Sequence, residues 1–230
     1  MFTPEELTTI ALSVRVAGVA AAASLPLAVA VGWLLARKRF PGKALLDALV
    51  HLPLVLPPVV VGYALLVGFG SQGPVGQFLG RFGIEFAFRW TGAALAAGIM
   101  GFPLMVRTIR LSIENVDRRL EQAAATLGAS PWRRFFTITL PLSWPGLVAG
   151  AVLGFAKALG EFGATITFVS AIPGETRTIS SAIYGLMQVP GGEAAIWRLA
   201  AVAVAISLAA LLASEWLVRR QRGDDGDEPC

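Results

Sequence analysis

Leu120-Glu121-Gln122-Ala123-Ala124-Ala125-Thr126-Leu127-Gly128-Ala129-Ser130-Pro131, running on to Ile138-Thr139-Leu140-Pro141, is the stretch whose reading decides the fold. It is a polar, helix-compatible island between long apolar blocks. Leu120 to Leu127 is rich in Ala and Leu, both good helix formers. Gly128 can take the left-handed conformation that ends a helix. Ser130 is a natural cap for a second helix, with Pro131 at its first position, where the missing N–H costs nothing. The island therefore reads as helix, sharp turn, helix. Its small residues Ala123 and Ala124 permit close approach of another surface, and Arg118, Arg119, Arg133 and Arg134 form a charged rim. A short exposed helix of this kind suits docking in a groove on a partner.

What flanks the island defines its solvent. The chain has 230 residues, of which 55% are hydrophobic and 15% charged, against about a quarter charged in soluble domains. The apolar residues gather into blocks of membrane-spanning length, roughly 20 residues each. Spans are expected over about 8–36, 44–69, 91–109, 142–169 and 194–218. This predicts an all-α integral membrane protein of about five transmembrane helices, with one transmembrane domain over 1–222 and a disordered acidic tail over 223–230. Residues 178–189 can stay outside the membrane or enter it partway and return. The N-terminus lacks the positive segment of a signal peptide, so the first block is expected to be a retained span.

Charge sets the orientation. The net charge of +4 does not point to nucleic acid, because the cations sit at the ends of the apolar blocks. Arg37, Lys38, Arg39 and Lys43 form one group, the island and its borders carry a second, and Arg219, Arg220 and Arg222 a third. The alternate loops hold Arg81, Arg89 and Arg177, while Arg15, Lys157 and Arg198 fall within predicted spans. The excess of Lys and Arg in cytoplasmic loops then places the island (about 117–141) and the C-terminus inside and the N-terminus outside.

Chemistry-bearing residues are few. Cys230 is the only cysteine and His51 the only histidine, which rules out a disulfide within the chain and a histidine metal cluster. There is no Gly-x-x-x-x-Gly-Lys-Ser/Thr phosphate loop, so any ATP-driven work needs a separate subunit. Charges and prolines inside spans are candidates for a translocation path, the prolines equally for kinks that only shape packing. Pro57 and Pro58, following Pro53, remove backbone donors at membrane depth. Lys157 and Glu161 are one helical turn apart and can pair. Thr165, Thr167 and Ser170 can offer hydroxyls to a weak, multi-site route. Gly146, Gly150 and Gly154 have the spacing of close helix packing, serving either a dimer or the chain's own interior.

The island also resembles the signature of binding-protein-dependent ABC importer permeases: Glu-Ala-Ala, three residues, Gly, nine residues, Ile-x-Leu-Pro. Ala123, Ala124, Gly128 and Ile138-Thr139-Leu140-Pro141 match it, with Gln122 in place of the usual Glu and Glu121 one residue earlier. Gly160-Glu161-Phe162-Gly163-Ala164-Thr165 and Pro173-Gly174-Glu175-Thr176-Arg177-Thr178 are similar to segments of the molybdate permeases within that family. The resemblance implies a type I ABC importer permease fold in the cytoplasmic (inner) membrane. It implies a coupling helix in which Glu121, Gln122, Ala123, Ala124, Gly128, Ser130, Pro131, Leu140 and Pro141 meet an ABC ATPase subunit. It also implies a second copy of the chain and a periplasmic or extracellular oxyanion-binding protein, with ATP and Mg held by the ATPase and no cofactor in this chain. Tungstate or sulfate as cargo, or an ion-coupled secondary transporter, are the competing expectations.

Overall fold

The computed structural model describes residues 2–224 and is helical, with no strand among them. Helix α1, Pro4–Arg37, opens on a reciprocal cap: Thr3 Oγ1 accepts from the Glu6 amide and Glu6 accepts from the Thr3 amide. The elements that follow are α2 (Lys43–Val55), α3 (Pro58–Phe69), α4 (Pro74–Gly80), α5 (Trp90–Asn115) and α6 (Arg118–Thr126). Then come α7 (Pro131–Arg134), a π-helical turn (Phe135–Thr139), α8 (Leu140–Leu142), α9 (Trp144–Leu159), α10 (Gly163–Val169), α11 (Ile179–Leu186) and α12 (Glu193–Asp224). The expected tail beyond residue 224 lies outside the described residues, and α12 takes in the first two of its positions.

Three helices are long and apolar enough to cross a membrane, and five spans result when each of two bent pairs counts as one. Their directions follow from packing. Along α1 and α5, Ala20 faces Gly98, Gly32 faces Ile109, and Arg37 reaches the Val116 carbonyl, so the two helices run parallel. The chain must therefore return between them, through α2 and α3. Helix α9 runs antiparallel to α5, with Gly154 near Gly101 and Ser143 near Ser112. Counting α12, the described chain begins and ends on opposite faces.

Charges mark those faces. Arg15 and Arg37 on α1 are separated by roughly 33 Å of helix, and Trp90 and Arg110 on α5 by roughly 30 Å. Both spacings match a hydrocarbon core about 30 Å thick. Arg15 lies within the helix that is long enough to span, near one end of this core-length stretch. Its guanidinium lies 3.8 Å from the Trp90 ring centroid, a cation–π contact at an interfacial aromatic. Arg198, in the candidate span of α12, also finds a partner near the start of α1. It donates through Nε (3.2 Å) and Nη2 (2.7 Å) to Glu6 Oε1, beyond the level of Arg15, where Arg177 also meets Glu5 at 2.7 Å.

Two predicted spans are not single helices. The second breaks at Leu56-Pro57, where α2 and α3 meet at 111°. Proline disfavours helical backbone in the residue before it, and here Leu56 and Pro57 both precede a proline and both are extended, with ψ of 143° and 132°. Pro53, preceded by Leu52, stays inside α2 without ending it. The fourth span breaks at Gly160, and α10 starts afresh at Gly163.

The interior is held by small residues. Gly146, Gly150 and Gly154 all face α5: a methyl on Gly150 would sit 3.0 Å from Ile109 Cγ1, and one on Gly154 2.5 Å from Met105 Sδ. The glycine row serves the chain's own packing, and Met105, Ile109 and Ile113 are buried against it. Gly154→Leu is expected to force α9 off α5 at a cost of about 1–3 kcal/mol or more. Thermal-shift measurement on the purified protein should show a lower midpoint; an unchanged midpoint would contradict this packing.

Candidate functional site

The island is built by its own backbone chemistry. Asp117 caps α6, its carboxylate accepting from the Arg119 amide at 2.9 Å. At the far end the Ala129 amide bonds the Ala124 carbonyl and the Gly128 amide bonds the Ala125 carbonyl, both at 3.0 Å. This is the Schellman termination, with Gly128 at φ +82°. Ser130 Oγ then accepts from the Arg133 amide at 3.3 Å, with Pro131 opening α7. The chain widens into the π-helical turn and passes through Leu140 and Pro141 before it enters α9 at a bend of 69°.

One carboxylate ties this assembly to the membrane helices. Glu121 Oε1 lies 2.9 Å from Arg37 Nη2 at the end of α1 and accepts from Thr139 Oγ1 at 2.7 Å. Arg37 Nη2 also donates to the Val116 carbonyl, and Arg118 donates to the Ala36 carbonyl. Glu121 thus turns inward as a staple, while Gln122 and Ala123 face solvent. Sequence reading missed Arg37, Arg134 and Thr139. The first two served there only to mark charge distribution, and Thr139 is the variable position of Ile-x-Leu-Pro. Glu121→Gln keeps an acceptor near Thr139 but removes the charge opposite Arg37. Faster amide exchange across 118–126 is the expected result, by about tenfold for a charge-assisted hydrogen bond. Unchanged exchange would argue against the staple.

The outward side of the island is apolar at its centre. Leu127 is 88% exposed and Trp132 72% exposed, with Leu120 and Phe136 also uncovered. Trp132 and Phe136 stack with centroids 6.3 Å apart and planes 22° from parallel. A cluster of exposed aromatics and leucine marks a surface for a protein partner or for lipid.

The path candidates divide into two groups. Pro58 meets Gly163, where an added Cβ would lie 2.7 Å from Pro58 Cβ. Gly62 meets Ala164 and Thr167, where an added Cβ would lie 2.5 Å from the Ala164 oxygen. The breaks of the second and fourth spans therefore face each other through α3 and α10, with Pro57 immediately before that crossing. Beside it, Lys157 Nζ and Glu161 Oε2 pair at 2.8 Å, and Glu161 Oε1 accepts from the Ala164 amide at 3.0 Å. The Glu161 side chain is 2% exposed and that of Lys157 32%, so the ammonium is the partner that reaches open space. The hydroxyls of Thr165 and Thr167 donate to their own helix, to the Phe162 and Gly163 carbonyls. Ser170 is exposed at φ +63° at the end of α10. Among the described residues no group of three or more His, Cys, Asp or Glu side chains is placed to hold a metal.

The chain is 59% identical over 223 residues to the molybdenum transport system permease protein ModB of Escherichia coli K12, covering 96% of this chain and 97% of that one. It is 58% identical over 218 residues to the protein of the same name from Haemophilus influenzae, covering 94% and 95%. A structure of the MetNI methionine ABC transporter in inward-facing conformations superposes with a TM-score of 0.75 at 16% identity, over 96% of this chain and 99% of that one, which is a likeness of fold. Residues 28–223 match the profile of the binding-protein-dependent transport system inner membrane component, and the chain belongs to that family.

Proposed function

We propose that this chain is the membrane subunit of an ABC importer for molybdate in the cytoplasmic membrane, working as two copies with two ABC ATPase subunits and an external oxyanion-binding protein. The observation that carries the coupling half of this reading is the island: a capped helix and turn, stapled to α1 through Glu121, with an apolar outer face of Leu127, Trp132 and Phe136. The likeness to molybdenum permeases along almost the whole chain supports the cargo. Closure of the ATPase dimer on ATP and Mg pushes the island, and the staple passes the displacement to α1 and α9. Such a motor acts through its differential affinity for two permease states. The single domain over 1–222, the inside position of the island and C-terminus, and the outside N-terminus complete the reading. They rest on the positive charge near the island end of the bundle.

The route for the oxyanion runs along α3 and α10, from Pro57 and Pro58 at one end of the crossing past Thr167 to Ser170 at the end of α10. Lys157 supplies the positive charge beside it, and Glu161 is neutralised by Lys157 and by the α10 amide. Specificity belongs mainly to the binding protein, because a tight site in the route would slow release. The test is uptake by the reconstituted complex. Molybdate uptake that requires ATP and the binding protein supports the proposal. Uptake that persists without ATP hydrolysis favours an ion-coupled carrier, and preference for sulfate or tungstate overturns the cargo assignment.

A further inference from the structure

A cavity of about 280 Å3 lies between the island and the end of α1. Arg37, Lys38, Arg118 and Arg134 line it, and Glu121 is the only carboxylate that does. The Arg37 side chain is 6% exposed. One of its nitrogens, Nη2, is taken by Glu121 and Val116, while Nε and Nη1 are buried with no acceptor; Arg134 Nε is in the same condition. Among the described residues Lys38 meets the Trp33 ring, at 5.4 Å, and no carboxylate. Buried guanidinium N–H groups normally have acceptors, and leaving them without costs free energy. Four cations around one carboxylate also repel one another in a partly desolvated space. Both deficits have one remedy, a compact anion with several acceptor oxygens, which is what forked guanidinium donors match best.

We infer that this cavity is a binding site for a phosphate-type oxyanion, which braces the island against α1. Two sources share that chemistry. The cavity lies at the membrane boundary marked by Arg37, within reach of an anionic phospholipid headgroup, and it is open to free phosphate from solution. The site is separate from the transport route and from the outer apolar face of the island. Its occupancy therefore does not depend on which solute is carried.

The experiment uses the permease–ATPase complex purified free of phospholipid in a maltoside detergent, at constant ionic strength set by chloride. Amide exchange over 117–139 is followed while inorganic phosphate or phosphatidylglycerol is titrated in. Saturable slowing of exchange by phosphate assigns a free anion, and slowing by phosphatidylglycerol alone assigns a lipid headgroup; either supports the site. Arg134→Gln and Lys38→Gln leave the Arg37–Glu121 contact in place and are expected to weaken the effect roughly tenfold each. No slowing by either probe overturns the inference. So does slowing that the two variants leave unchanged, or exchange already slow in the ATPase complex and faster only when the ATPase is removed, which would assign the acceptor to that subunit.

Discussion

Glu161→Ala is expected to be the most damaging single substitution at membrane depth. It removes both partners that the fold has arranged at the break after α9. Lys157 loses its counter-ion at 2.8 Å, and the first turn of α10 loses the carboxylate that accepts from the Ala164 amide. The charge left behind is that of Lys157, whose side chain is 32% exposed, so the loss falls below the about 3–5 kcal/mol of a fully buried pair broken from one side. The loss of a cap adds about 1 kcal/mol. Total stability is commonly only about 5–15 kcal/mol, so the variant should accumulate poorly in membranes and should melt well below the parent in detergent. The double variant Lys157→Leu with Glu161→Ala removes the stranded charge and should recover part of the loss. If Glu161→Ala alone were as stable as the parent, the pair would have no structural role. If the double variant folded but transported normally, Lys157 would have no part in the route.

Gly128→Asp should have the largest effect on transport with the smallest effect on folding. At φ +82° any side chain pays a conformational penalty, about 1 kcal/mol for a non-glycine residue and less for Asp or Asn, which visit this region most readily. No atom lies within 4 Å of the position a Cβ would take, so nothing is displaced. The new carboxylate stands beside Leu127 at the centre of the exposed apolar face. Central residues of an interface can each be worth about 2 kcal/mol or more, and a desolvated, unpaired charge there costs at least as much. The expected result is a permease present at normal level, with ATPase association and ATP-dependent uptake reduced by more than about tenfold. Gly128→Asn, similar in shape and uncharged, should retain most of both. Coupled uptake at the parental rate in Gly128→Asp would refute docking at this face.

The two substitutions separate kinds of information that the chain carries. Gly128, Ser130 and Pro131 could be assigned from the sequence because caps and helix ends are local: each depends on residues within four positions. The Lys157–Glu161 pair was legible for the same reason, since residues four apart on a helix are neighbours. Spans were legible from apolar block length, and the family from the island's spacing. What escaped was every feature that depends on a distant partner. The inward turn of Glu121 needs Arg37 and Thr139. The glycine row on α9 needs Met105 and Ile109 opposite it to choose between the interior and a dimer. The cation–π contact of Arg15 needs Trp90.

By itself, then, the sequence determined an all-helical membrane chain, a capped polar island with a left-handed turn at Gly128, and a pair at Lys157 and Glu161. Hydropathy, capping and helical periodicity are short-range, and they act before any long-range packing exists. Only the tertiary structure decided that the second and fourth spans break and meet through Pro58, Gly62 and Gly163. Only it decided that Glu121 fastens the island to α1, and that Arg37 and Arg134 keep buried donors around a cationic cavity. Those outcomes depend on which surfaces come within a few ångströms of one another, and that is fixed when the helices pack.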